Sequence, residues 1–203
     1  MRLHSYVIDH DYGFAPNPFH GVCTLATCKP VIRQHATVGD YVVGTGCAKR
    51  GRRGYLVYFM RVEEITDFDR YWADPRFLAK RPTLRGSKMQ AFGDNIYHRD
   101  PGSGQWVQAN SLHSLANGSP NAANIARDTR SEKVLISTDF AYWGGSGPQV
   151  PSGFRDFGGK DICSGRGHQN RFEDAMRDEF IAWLRSLNER GYIAAPLDWP
   201  RSG

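Results

Sequence analysis

The sequence predicts an α+β fold in which a strongly bent sheet or small barrel carries flanking helices. Three observations support this. Runs of β-branched and aromatic residues closed by turn residues, such as YVVG at 41–44 and YLVYFMRV at 55–62, outnumber helical patterns. Sustained helical spacing is strongest near the C-terminus. The chain has 203 residues, 40% hydrophobic and 23% charged, which describes a globular protein able to bury a core without a metal or disulfide.

The elements follow in order. LHSYVI at 3–8 reads as a strand with Leu3, Tyr6 and Ile8 inward. FAPNPFHG at 14–21 is a loop, because two prolines and a closing glycine forbid regular structure. VCTLATCKPVIR at 22–33 reads as an apolar strand or short helix broken at Pro30. A Gly39-Asp40 turn leads into a strand near 40–44, and the basic loop CAKRGRRG joins it to a long antiparallel strand at 55–63.

Thr66 or Asp67 caps a short helix with Phe68, Tyr71 and Trp72 on one face, which Pro75 ends or redirects. Residues 81–131 form an irregular insertion containing a hairpin, NIYHR and GQWVQA, turned at DPGSG. KVLIST is a strand with FAYWGG as its aromatic exit, and a glycine-rich stretch runs from 144 to 168. Phe172, Met176, Phe180, Trp183, Leu184 and Leu187 form one face of a helix at about 170–190, with Gly191 expected just past its end. Residues 1–203 are read as a single domain, with the strands near 3–8, 40–44, 55–63 and 134–138 in one curved sheet.

No apolar run approaches the ~20 residues that cross a bilayer, and the first residues lack a signal-peptide pattern. Four cysteines without a secretion signal point to reduced thiols and a cytoplasmic location. A net charge of +5 favours an anionic partner, nucleotide or nucleic acid first.

Several motifs are absent. GTG at 44–46 lacks the Gly-Lys-Ser/Thr ending of a phosphate loop. Seven histidines form no HExxH and no zinc-finger spacing, and Cys23-x4-Cys28 has no second close pair. The signature of zinc deaminases is missing, and Ser111 and Ser137 have no nucleophile-elbow setting. No metal and no cofactor is expected.

The binding chemistry is drawn from residue types. Lys49, Arg50, Arg52 and Arg53 place four cations within five positions among glycines, suited to a phosphate backbone. Phe14, Phe19, Tyr97 and Trp106 lie in or near loops where they can stack a base, beside Asn17, Asp94 and Asn95, which can read its polar edge. Pro16 and Pro18 brace Asn17, His113 is expected close by, and Lys29 or Arg33 is placed to meet a phosphate. For a catalytic reading, Asp9, Asp94 and His113 are the acid–base candidates.

The hairpin of Gly-Asp turn, VVG, loop and apolar strand resembles the core of PUA-like domains, including their ASCH and EVE relatives. The fuller string is SYVIDHDYGFAPNPFHGVCTLATCKPVIR, then VGDYVVGTG, GRRGYLVYFMRV, DRYWADPRF, GDNIYHR and KVLISTDFAYWGG. It resembles the nucleotide modification associated domain 2 family. That resemblance implies a bacterial or phage protein linked to modified nucleotides or nucleic acids, DNA or RNA, with partner proteins from a modification or defence operon. Two readings stay open: recognition of a nucleotide or modified base, or an enzyme performing hydrolysis, base excision or base modification.

Overall fold

A computed structural model describes residues 1–163 and 167–199. Residues 164–166 of the glycine-rich stretch and 200–203 lie outside the described residues. In chain order the strands and α-helices are β1 (Leu3–Ile8), β2 (Cys23–Leu25), α1 (Pro30–His35), β3 (Tyr41–Gly46), β4 (Leu56–Arg61), β5 (Glu64–Asp67), α2 (Phe68–Ala73), α3 (Lys88–Ala91), β6 (Tyr97–Arg99), β7 (Trp106–Gln108), α4 (Ala122–Asp128), β8 (Lys133–Ser137), β9 (Phe140–Tyr142), β10 (His168–Gln169), α5 (Asp174–Ser186) and β11 (Gly191–Tyr192). They divide into two compact units.

The first unit comprises residues 1–12, 36–63 and 137–203. Its sheet runs β10-β1-β3-β4-β9-β11. β1 pairs parallel with β3, Leu3 opposite Tyr41 and Ile8 opposite Gly46. β3 and β4 are antiparallel, as the hairpin pattern predicts. The order is open at both ends, so the barrel alternative gives way to an open mixed sheet.

In β1 the neighbours of the predicted core positions are buried too: His4 and Ser5 sit beside Leu3 and Tyr6. Gly44 faces Ile8 and the Tyr58 ring so closely that a Cβ would overlap both, and Tyr6 and Tyr58 join hydroxyls at 3.0 Å.

α5 closes the core of this unit. Met176, Phe180 and Leu184 pack among Leu3, Val43, Leu56 and Phe59, while Phe172, Trp183 and Leu187 are only partly buried. The helix ends earlier than expected. Asn188, not Gly191, is the first left-handed residue past it, and Gly191 opens β11.

The second unit comprises residues 13–35 and 64–136. It holds a three-stranded sheet, β2-β8-β5, and the β6-β7 hairpin. The strand at 133–137 was expected in the large sheet, but it pairs with β5 and β2 instead. The long strand expected at 55–63 stops at Arg61, and β5 starts separately at Glu64.

Pro30 does not break the segment at 22–33. It begins α1, where its missing N–H costs nothing and its fixed φ suits a first helical turn. Asp67 caps α2 by accepting from Arg70 N, and Asp74 then caps a 3-10 turn that starts at Pro75. β6 and β7 pair around the predicted turn, Arg99 opposite Trp106.

Candidate functional site

The second unit contains a line of three side chains that begins at Cys28. Cys28 and Lys29 both have positive φ, 55° and 41°, immediately before α1. Two consecutive non-glycine residues in this region cost on the order of 1–3 kcal/mol each. The surroundings hold them there. Cys28 N donates to Asp128 Oδ1 at 3.2 Å, and Cys28 O accepts from Arg33 Nε at 2.9 Å. Cys28 as a residue is half-buried, unlike the buried Cys23, Cys47 and Cys163.

Cys28 Sγ lies 3.5 Å from His113 Nε2, and His113 Nδ1 lies 2.7 Å from Asp128 Oδ2. α4 supplies the supports at helical spacing. Asn121 caps it, Asn124 donates to His113 O at 2.8 Å, and Asp128 one turn later meets the imidazole. Gln108 also donates to His113 O, at 3.3 Å. Tyr97 OH donates to Asp128 Oδ2 at 3.0 Å, so the carboxylate is held from several sides. Phe14 sets its ring edge-on to His113, with centroids 4.6 Å apart.

Burial opposes protonation of His113, but its hydrogen bonds and charge interactions with Asp128 and Cys28 outweigh it and raise the imidazole to about 9. Burial likewise opposes ionisation of Asp128, and His113 and Arg127 overcome it, holding the carboxyl below its ordinary value. His113 and Asp128 therefore form an ion pair in contact with the Cys28 sulfur. Reactive cysteines are found in such electropositive, accessible settings, and a nucleophile, a base and an orienting carboxylate share this arrangement.

The same three donors lie within 4.8 Å of one another, close enough to ask whether they hold a cation. Cys28 Sγ, one ring nitrogen of His113 and one oxygen of Asp128 thus face a shared space. Asp128 already accepts from Cys28 N, Tyr97 OH and Arg127 Nε.

Other expected site residues are engaged within the protein. Arg33 is 0% exposed; it donates to the carbonyls of Cys28, Ser131, Lys133 and Asp128, which leaves its fork facing backbone rather than phosphate. Asn17 Nδ2 donates to Gly13 O and Phe92 O, while its Oδ1 accepts from the buried Lys80 ammonium at 2.7 Å. Lys80 also donates to Asn17 O and Val22 O, and burial lowers it to about 8.

Asp94 accepts from Thr24 Oγ1 at 2.7 Å and Tyr71 OH at 2.8 Å, and burial raises its carboxyl. Asn95 donates to Tyr71 O and Phe77 O. Phe19 is buried. The braced loop reaches the residue ahead of Gly93, Asn17 Nδ2 donating to Phe92 O, and this contact is part of a structural polar network. Trp106 packs edge-on to Phe68 under the Arg99 guanidinium.

Asp9 belongs to the first unit and is exposed at the end of β1. So does the basic loop, where Lys49, Arg50 and Arg53 are exposed. Arg50 pairs with Asp198 at 2.7 Å, and Arg52 lies over Tyr55 and donates to Gly147 O at 2.9 Å.

Of the central line, the sequence singles out only His113. Cys28 and Asp128 lie 85 and 15 residues from it and carry no joint motif. The available signal is a cysteine directly ahead of a Lys-Pro helix start.

A thiol, an imidazole and a carboxylate in hydrogen-bonded order make this an α+β protein with a candidate cysteine-nucleophile site. Over residues 1–203 the chain matches the family described as nucleotide modification associated domain 2, and it belongs to that family. The family description ties it to nucleotide modification systems. Neither the curated proteins nor the solved structures yield a significant match. Among the described residues no helix is long and apolar enough to cross a membrane.

Proposed function

We propose that this chain is an enzyme of a nucleotide-modification system, using Cys28 as nucleophile toward an electrophilic carbon of a nucleotide or nucleobase. The observation that carries the reading is the ordered contact of Cys28 Sγ, His113 and Asp128 Oδ2, at 3.5 and 2.7 Å, with Cys28 held in a strained backbone conformation. In the step envisaged, sulfur forms a bond to the carbon and its proton resides on His113. The electron pair of the attacked double bond moves onto its far atom, which takes up that proton from His113. Asp128 keeps the imidazole oriented and balances its charge. Phe14 and Tyr97 brace the imidazole and the carboxylate from the protein side, and Lys29 serves as a cation at the edge of the site.

A recognition role without conversion is the second reading. It is favoured by the exposed basic loop Lys49–Arg53, whose glycines allow close approach of a phosphate backbone. One experiment separates them. The full chain is incubated with ribo- and deoxynucleotides and short DNA and RNA, and mass spectrometry follows both product and adduct at residue 28. Conversion or adduct formation that disappears in Cys28→Ala supports the enzyme. Ligand bound and returned unchanged supports recognition. Conversion that persists in Cys28→Ala removes Cys28 from the mechanism.

A further inference from the structure

Arg127 contacts both Asp128 and His113 and is itself partly exposed. Its Nε donates to Asp128 Oδ1 at 3.0 Å. Its Nη2 lies 3.5 Å from both ring nitrogens of His113. The two equal distances place Nη2 midway between the ring nitrogens, against the imidazole. Nη1 makes no hydrogen bond among the described residues, and the side chain is 41% exposed. The cation thus lies against the imidazole while its side chain stays partly exposed.

Cys28 N is engaged by Asp128, Pro30 has no N–H, and Arg33 N donates to Lys29 O. Arg33 itself is turned inward onto four carbonyls. Among the side chains around the thiol, Arg127 supplies a fork suited to two oxygens of an arriving anion.

We infer that Arg127 is an anion receptor that holds a phosphate of the substrate beside the Cys28 thiol, so that the site takes phosphorylated nucleotides in preference to nucleosides or free bases. This rests on Cys28 being the nucleophile proposed above. It adds a substrate class to that reading and assigns the guanidinium a role outside its pair with Asp128.

Alkylation of Cys28 tests it without knowledge of the substrate. Rates are measured by peptide mass spectrometry for iodoacetate, which is anionic, and iodoacetamide, which is neutral. In the unaltered protein the ratio of the two rates should exceed that of a free thiol, and should fall by about tenfold in Arg127→Gln. A loss of general reactivity would lower both rates together and leave the ratio unchanged. Inorganic phosphate should slow alkylation of the unaltered protein at concentrations where acetate, at matched ionic strength, does not. This arm needs no variant to fold.

A ratio unchanged in Arg127→Gln, with no protection by phosphate, overturns the anion receptor while leaving the nucleophile intact. If both reagents fail to modify Cys28 in the native protein, the nucleophile reading falls and takes this inference with it.

Discussion

His113 Nδ1 and Asp128 Oδ2 stand 2.7 Å apart, with the histidine side chain 12% exposed and the carboxylate fully buried. The contact couples folding to pH. In the folded chain His113 is raised from 6.5 to about 9, so its stabilisation is complete below about 6.5 and is lost as pH climbs through 9. The depressed Asp128 carboxyl has the opposite sense: its contribution is present above its ordinary value and is lost as pH falls. Both shifts express one interaction and are counted once. Between pH 6.5 and 9.5 the protein should lose on the order of 3 kcal/mol that His113→Gln does not lose. Urea unfolding at both pH values measures the difference, and parallel curves for the two proteins would refute the coupling.

Arg33 should be a stability residue first. Replacing it with Met strands four carbonyls that its guanidinium now satisfies. The expected cost is about 3–5 kcal/mol, since an unpartnered buried acceptor costs about 1–3 kcal/mol. Arg33→Lys should recover only part, because an ammonium cannot reproduce the fork. A denaturation midpoint unchanged in Arg33→Met would show that the carbonyls find other donors.

On α5 the two central aromatics should behave differently. Phe180 is fully buried and Trp183 only partly. Phe180→Ala should cost about 3–5 kcal/mol and Trp183→Ala roughly half as much. Thermal unfolding compares them directly. Equal losses would mean that the outer face of the tryptophan is also covered in solution.

In the basic loop the four cations should separate into two kinds. Arg50 is tied to Asp198 and Arg52 is bonded to Gly147 O, so neutralising either also perturbs local structure. Lys49→Gln with Arg53→Gln should leave folding unchanged. If the loop contacts phosphates, each lost contact should flatten the log–log salt dependence of nucleic-acid binding by roughly 0.7–0.9. Fluorescence anisotropy with a short single strand, over a salt series, gives the slope. An identical slope in the double variant would make the loop an ordinary solvated tip.

Much of the fold is legible locally. The runs that became β1, β3 and β4, the Asp67 cap and the Asp100–Gly104 turn are set by residues within a few positions of one another. Partner choice is different. Nothing in KVLIST records that it joins β5 and β2 and not β4, because a pleated strand presents much the same edge to any neighbour.

The candidate site was less legible still. Loop aromatics such as Phe14 and Phe19 invite a stacking role, yet both are buried, and Asn17 meets Lys80, 63 positions away, which no spacing rule announces. His113 was singled out for its chemistry alone. Its partners Cys28 and Asp128 become visible only once α1 and α4 are built, for a lone cysteine and a helical aspartate carry no signature.

The two compact units are interleaved along the chain, the second one lying between residues 13 and 136 and interrupted at 36–63. Synthesis from the N-terminus therefore finishes them in an inverted order. The second unit, with Cys28, His113 and Asp128 all within it, has every residue it needs once position 136 has left the ribosome. The first unit begins earlier and still waits for β9, β10, α5 and β11. Until then β4 lacks β9 beside it, and Phe59 lacks the helix that covers it. At about 5–20 residues per second that wait lasts some seconds. A nascent chain would thus carry an assembled thiol site while its largest sheet still exposes an unpaired edge, the state in which such sheets are most open to aggregation or to a chaperone.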